Sequence, residues 1–307
     1  MKPKVLLAGG TGYIGKHLSS VIENDADLYV LSKYPKPEHV NATDMTWLQS
    51  DIFNYQDVVE AMKEIDIAIF YLDPTKNSAK LTQATARDLN LIAADNFGRA
   101  ASVNHVKKLV YIPGSRNDNQ TMERLGAYGV PVERTKLEIK RPHINVELQV
   151  SKYDDVRTAM KMVLPKKWTL NQVVEYFFNW LDKTKGTIVK TYHSDDHYYI
   201  YLKSKNKPLA IFKKVLTEDN LITLYLVGGK LVKSNAKKQG KLEFRLLKNN
   251  AIVLVHLYDY IPKMFWPVYY FVQAPLQGIM MRGFEVDCRI KHFQGRVQSG
   301  EKIKYTK

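Results

Sequence analysis

The chain contains a single cysteine, Cys288, so no disulfide can form within it and a reducing compartment is expected. The opening residues, Met1-Lys2-Pro3-Lys4, carry neither the apolar stretch nor the small-residue cleavage site of a secretory leader, and a cytoplasmic protein is predicted. There is no internal repeat and no low-complexity tract. Arginine is scarce where positive charge is richest: residues 151–307 hold 23 Lys but only 5 Arg. Arginine is favoured for bidentate phosphate reading, so this scarcity argues against specific nucleic-acid binding.

A length of 307 residues with 45 % hydrophobic side chains suits two domains with sizeable cores. The net charge of +15 is carried wholly by one half. Residues 1–150 hold 18 basic and 18 acidic side chains, whereas residues 151–307 hold 28 and 13. The second half is therefore drawn electrostatically to anionic partners.

Short apolar runs alternate with helical spacing through the first half. Lys4–Ala8, Leu28–Ser32, Trp47–Ser50, Ile67–Leu72 and Lys108–Ile112 read as buried strands. Helices are predicted over Lys16–Glu23, Tyr55–Lys63 and Leu89–Val103. This alternation predicts a doubly wound parallel sheet. Further on, Pro131–Leu148 reads as a strand with loops, and Tyr153–Met162 and Thr169–Leu181 as helices at the edge of the same domain. From Thr187 to Leu257 the texture becomes β-branched and aromatic, with turn signals at Asn206-Lys207-Pro208, Glu218-Asp219-Asn220, Gly228-Gly229 and Lys248-Asn249-Asn250. The expected organisation is an α/β domain over residues 1–185, then a smaller, basic, mainly antiparallel domain with a C-terminal helix over residues 186–307.

The first strand runs into Gly9-Gly10-Thr11-Gly12-Tyr13-Ile14-Gly15, which satisfies G-x-G-x-x-G through Gly10, Gly12 and Gly15. Glycines permit the tight strand-to-helix turn and the close approach of a pyrophosphate to the backbone. The helix that follows aims its N-terminal N–H groups at the phosphates. Placed after a strand and at the head of a helix, this is the dinucleotide-binding Rossmann arrangement. An NAD site usually holds a carboxylate at the end of the second strand. Leu31-Ser32-Lys33 stands there instead, a hydroxyl and an ammonium suited to a 2′-phosphate, so NADP is expected with NAD as the alternative. Asp51 and Ile52, after the third strand, are candidates to flank adenine.

These residues resemble the short-chain dehydrogenase/reductases in their atypical, NmrA-like branch. The resemblance is carried by the Gly9–Gly15 loop, Ser50-Asp51-Ile52, the Asn90–Phe97 helix, and His105–Ile112. The stretch from Phe265 through Gln273-Ala274-Pro275-Leu276 to Met281-Arg282-Gly283-Phe284 is similar to a C-terminal extension of unknown function in a bacterial subset of that branch. The resemblance implies that Gly9, Thr11, Gly12, Tyr13 and Ile14 surround the pyrophosphate, and that Ser32 and Lys33 meet the 2′-phosphate. It also implies that Asp51 and Ile52 meet adenine, and that Leu72, Asp73 and Pro74, with Pro113, Gly114 and Ser115, border the nicotinamide ribose.

Complete members of the family use a Tyr-x-x-x-Lys pair, in which the Lys lowers the Tyr pKa for proton transfer. Here Tyr128 is followed four residues later by Val132, and Tyr153 by Arg157. The acid–base pair is missing from both places. Two functions follow as expectations. One is an NADP(H)-dependent oxidoreductase acting on a quinone or other activated small-molecule acceptor. The other is a non-catalytic NADP(H) sensor or accessory subunit that works through protein or membrane-surface contacts.

Two clusters in the second half invite other chemistry. His193, Asp195, Asp196 and His197 could be metal ligands, but a polar turn between strands is the preferred reading. Residues 264–281 are nearly free of charge, with Lys263 and Arg282 at their flanks, and Pro267 and Pro275 interrupt them. A helix buried on the antiparallel sheet is expected, with contact at an anionic membrane surface as the alternative.

Overall fold

The computed structural model describes residues 2–9, 13–36, 45–71, 79–113, 119–136, 154–184, 188–233, 236, 238–247 and 251–301. The chain divides into two compact units, one comprising Met1–Ser78 and Thr85–Val150, the other Ala79–Ala84 and Ser151–Lys307.

The first unit begins with β1 (Lys4–Ala8), α1 (Tyr13–Ile22), β2 (Asp27–Ser32), β3 (Met45–Gln49), α2 (Tyr55–Ala61) and β4 (Ile67–Phe70). The chain then contributes β5 (Leu81–Gln83) to the second unit before α3 (Ala86–Val103), β6 (Lys108–Tyr111), α4 (Asn119–Leu125), a short 3-10 turn and β7 (Val132–Arg134) complete the first. All strand pairs of the first sheet are parallel, in the order β3-β2-β1-β4-β6-β7. Covered on both faces, its central strands bury both sets of side chains, and this is why β1 reads as an uninterrupted apolar run. Val5, Leu7, Leu28, Val30, Ile69 and Tyr71 pack with Ile14, Leu18 and Ile22 of α1. On α3, Phe97 meets Phe70 edge-on at 5.3 Å. The Thr85 side chain caps α3 by accepting from the Asp88 N–H, and so starts it three residues before the predicted Leu89.

The second unit continues with β8 (Val156–Val163), α5 (Leu170–Lys183), β9 (Val189–Ser194), β10 (His197–Leu202), β11 (Pro208–Glu218), β12 (Leu221–Gly228), β13 (Lys241–Leu246) and β14 (Ile252–Tyr260). It closes with α6 (Trp266–Val268), a π turn over Tyr269–Gln273, and the long α7 (Ala274–Gln298). The sheet order is β5-β8-β14-β13-β12-β11-β10-β9, antiparallel throughout except for β5 beside β8. A Thr169/Gln172 capping box starts α5. Phe177 of this helix lies 5.7 Å from Phe244 and 5.1 Å from Phe284, and Phe178 stacks on Tyr198 at 4.1 Å. Aromatic pairs at these separations fill a core that Val173, Val174, Leu224, Val253 and Val255 complete.

Two expectations need correction. Residues 156–163 form a strand, not part of a helix over Tyr153–Met162, because they pair along β14 from Val163↔Ile252 to Val156↔Tyr260. Through that pairing β8 belongs to the second sheet, and α5 packs on the same sheet, so the division falls at 150/151 and not at 185/186. The second unit is consequently not the smaller one. Within Pro131–Leu148, Val132–Arg134 forms β7, and residues 137–153 lie outside those described.

The His193–His197 cluster forms the turn of the β9–β10 hairpin, with Asp195 at φ 51°. His193 stacks on Tyr198 at 4.3 Å. Residues 264–281 do not form a uniformly buried helix. Tyr269, Gln273 and Ala274 face inward, whereas Phe271, Val272 and Ile279 are exposed. No described helix is long and apolar enough to cross a membrane.

Candidate nucleotide site

In an open parallel sheet, ligands settle outside the carboxyl ends of the strands, at the point where strand order reverses. Here the order reverses between β1 and β4. Gly9 lies at the end of β1 with φ +111°, a conformation that strains any side-chain-bearing residue, and its N–H donates to Leu7 O at 2.9 Å. Among the described residues, a Cβ built on Gly9 would meet nothing within 4 Å. Thr11 and Gly12 lie outside the described residues, as do Leu72, Asp73, Gly114 and Ser115. Tyr13, Ile14 and Gly15 form the first turn of α1. Ile14 turns its side chain into the core, and Gly15 O accepts from the Ser19 hydroxyl at 2.7 Å.

At the end of β2, Ser32 is buried, and its hydroxyl accepts from the Tyr34 N–H at 3.2 Å. The Ser32 carbonyl accepts from Ser50 N–H, which ties the end of β2 to the end of β3. Lys33 lays its ammonium 3.4 Å from Asp51 Oδ2, and both side chains are buried. Asp51 is held from several sides. Its Oδ1 accepts from Phe53 N–H at 3.0 Å, and its own N–H donates to Asp57 Oδ2 at 3.1 Å. The Asn54 amide in turn donates to Asp57 at 2.6 Å. Ile52 is buried, with its carbonyl accepting from Asn96 Nδ2 of α3 at 2.9 Å. Pro113, just past β6, is also buried.

Thus Gly9, Ser32, Lys33, Asp51, Ile52 and Pro113 all stand at the carboxyl ends of the first sheet's strands. The Lys33–Asp51 pair joins two positions to which the sequence assigned separate roles, a 2′-phosphate and an adenine.

Tyr71, the residue after β4, was not anticipated. Its side chain is buried, its hydroxyl has no hydrogen-bond partner among the described residues, and burial pushes its pKa well up, so it remains a protonated donor. A buried donor left unmatched costs about 1–3 kcal/mol and therefore calls for an explanation. Its position at the reversal of strand order is one where a bound dinucleotide could accept that hydrogen bond. With the positive-φ turn at Gly9 and the cation at Lys33, these residues fit a dinucleotide.

The other tyrosine of interest is committed elsewhere. Tyr128 donates to Asp95 Oδ1 at 2.7 Å and lies under the Arg99 guanidinium, 4.8 Å from the ring centre. Asp95 also faces Arg99 at 3.5 Å and Arg124 at 3.6 Å, all three being buried. Tyr128 is thus part of the packing of α3 against the turn after α4. Asn90 has a similar role, bonding across to the Thr121 hydroxyl of α4.

Residues 5–116 match the NAD dependent epimerase/dehydratase family. Over all 307 residues, covering 100 % of both chains, the sequence is 65 % identical to the auxiliary protein GraX of Staphylococcus aureus. A UDP-glucose 4-epimerase of Rickettsia bellii is 25 % identical over 179 residues, 52 % of this chain and 51 % of the epimerase. Among solved structures, the enzyme WbmH of Bordetella bronchiseptica, in complex with NAD+, is 16 % identical with a TM-score of 0.36, covering 44 % of this chain and 55 % of that one. The chain belongs to the same family as the staphylococcal auxiliary protein, one whose N-terminal part is of the NAD dependent epimerase/dehydratase type, related to the short-chain dehydrogenase/reductases.

Proposed function

We propose that this protein binds NADP(H) at the strand ends of its first unit and serves as a non-catalytic accessory protein. The observation that carries this reading is the engagement of Tyr128 with Asp95 and Arg99, with Val132 where a catalytic lysine would follow. A phenol bonded to a buried carboxylate is a structural donor, not a proton shuttle for a carbonyl substrate. The 65 % identical staphylococcal relative is an auxiliary protein, which supports this reading.

For the dinucleotide, Gly9 gives the backbone turn, and the α1 N-terminus faces the phosphates. Lys33 leaves Asp51 to meet the 2′-phosphate, and Asp51 and Ile52 border adenine. Tyr71 donates its unmatched hydroxyl. Bound nicotinamide would bring hydride chemistry to the site, but none of these residues supplies an accompanying proton relay.

Calorimetric titration with NADPH and NADH tests the binding. Lys33→Ala is expected to weaken NADPH by roughly tenfold or more, the equivalent of one lost charge-assisted hydrogen bond, while leaving NADH within a factor of about two. Equal losses for the two nucleotides would remove Lys33 from the assigned role. Oxidation of NADPH by the purified protein with any of a panel of quinones would overturn the non-catalytic reading in favour of a reductase.

A further inference from the structure

The antiparallel sheet of the second unit has two unlike faces near its β9 margin. Thr191 donates its hydroxyl to Phe178 O of α5, and Tyr198 stacks on Phe178, so these side chains face the helix. Their neighbours along the strands, Lys190 and Tyr192 on β9 and His197, Tyr199 and Tyr201 on β10, stand on the other face. The register sets Tyr192 opposite Tyr199 and Lys190 opposite Tyr201. The rings of His197, Tyr199 and Tyr201 form a ladder, with centroids 6.2 and 6.3 Å apart and planes inclined by 28° and 23°. Tyr192 joins it at 5.9 Å and is 61 % exposed. Lys190 Nζ lies 5.7 Å from the centre of the Tyr201 ring. Across the sheet His197 is opposite Lys213, Lys213 opposite Tyr225 and Tyr225 opposite Lys241, so rings and cations alternate from strand to strand.

Charge and shape decide what such a face can hold. Lys190, Thr191, Tyr192, Tyr201 and Asn206 border a shallow cavity of about 350 Å³. The loop beside it, Lys203-Ser204-Lys205-Asn206-Lys207, carries three exposed lysines. From Val189 to Gly228 the only carboxylates are those of Asp195, Asp196, Glu218 and Asp219, all at the opposite end of these strands. The ring ladder therefore ends, at Tyr201, in a cationic rim. Such a rim selects an anion, and the rings select a flat π surface. A lipid surface is disfavoured, because no aliphatic side chain stands on this face of β9 or β10 to enter it. An acidic peptide would satisfy the lysines but leave the rings without a stacking partner. Bases already paired in a duplex hide their faces from a sheet, so the matching ligand is a single strand. The scarcity of arginine, which counts against reading base edges, is compatible with lysines that meet phosphates as point charges.

We propose that the outer face of β9 and β10 binds single-stranded nucleic acid without sequence preference. Bases stack on Tyr192, Tyr199 and Tyr201, and phosphates lie along Lys190 and the lysines of the following loop. The face lies wholly within the second unit, so the inference stands apart from the dinucleotide site of the first.

The probe is a fluorescent oligothymidylate of about twelve nucleotides, titrated with the full chain and read by anisotropy. Micromolar binding is expected at low salt, weakening with a log–log salt slope of about −2, the value for three phosphates of a single strand. Tyr192→Ala with Tyr201→Ala should weaken binding roughly tenfold or more. Tyr192→Phe with Tyr201→Phe should keep it, since stacking needs the ring and not the hydroxyl, and this pair separates stacking from a loss of fold. Lys203→Ala with Lys205→Ala should bring the slope to about −1 while leaving the thermal melt unchanged. Absence of binding, equal affinity for a duplex of the same length, or full affinity in the double alanine variant would overturn the proposal. Displacement of the oligonucleotide by NADPH would do so too, by placing it at the strand ends of the first unit; failure to bind NADPH at all would count against the dinucleotide site alone. Association with phosphatidylglycerol vesicles that the double alanine variant loses would assign the face to a membrane. A polyglutamate peptide bound as tightly as the oligonucleotide would assign it to an acidic protein, and either result overturns the nucleic-acid reading.

Discussion

Replacing Arg245 by methionine should destabilise the second unit by about 3–5 kcal/mol, the range expected when one member of a buried ion pair is removed. Arg245 Nη2 lies 3.0 Å from Glu243 Oε2, and both side chains are fully or almost fully buried on one side of β13. The Tyr258 hydroxyl donates to Glu243 Oε1 at 3.0 Å, and His256 stacks on that tyrosine at 4.5 Å. Without the guanidinium, a buried carboxylate would be left with neutral donors only. The double variant Arg245→Met, Glu243→Leu should recover most of the loss, because paired buried charges exchange for apolar groups at little net cost. Hydrogen exchange across β13 and β14, with the thermal melt, reads both. A single-variant loss below about 1 kcal/mol would show that the ion pair does not hold this side of the sheet.

The same cluster fixes a pH dependence. Burial alone would raise the Glu243 pKa, but Arg245 and the His256 ring, whose Nδ1 lies 3.8 Å from Oε2, outweigh it and hold it at about 2, against 4.5 unperturbed. Its contribution, of order 3 kcal/mol at about 1.4 kcal/mol per unit, is present above pH 4.5 and is lost as pH falls toward 2. Burial lowers the His256 pKa below 6.5, so the unfolded chain takes up that proton first and stability begins to fall below pH 6.5. Both steps have the same sign. His256→Gln should remove the upper step and leave the lower one; unchanged acid unfolding in that variant would rule out His256 as the first group to titrate.

In the first unit, Asp95→Ala should be comparably severe, at about 3–5 kcal/mol, because it removes the buried carboxylate that faces the guanidinium groups of both Arg99 and Arg124. The loss should appear as rapid hydrogen exchange over residues 119–128, with the second unit's β13 and β14 still protected. Tyr128→Phe removes only one donor and should cost about 1 kcal/mol. It should leave nucleotide affinity within a factor of about two. A large loss of affinity in that variant would return Tyr128 to the ligand site.

The parallel sheet was legible because its strands are buried on both faces, so composition alone marks them and a glycine turn fixes the first crossover. The two errors of assignment share a cause. Val156–Val163 is rich in Arg, Ala, Met and Lys, which favour helices. Its partner β14 lies about ninety residues away, and no local pattern records that pairing. In β13, Lys-Leu-Glu-Phe-Arg-Leu alternates as though one face met water. Glu243 and Arg245 are instead buried, and only their partners on neighbouring strands make that tolerable. At the candidate site, glycines and charges could be found by motif. Tyr71 could not, since its significance is an unmatched hydrogen bond that exists only after folding.

The short strand β5 has a consequence for how this protein can be divided. Residues 79–84 leave the first unit between β4 and α3, lie beside β8, and return. The chain therefore passes between units three times, and no single cut separates them. A fragment beginning at Ser151 lacks the strand that closes one margin of its sheet, so the exposed N–H and C=O groups of β8 become a template for association. Autonomous expression of the second unit calls for residues 79–84 to be grafted ahead of β8.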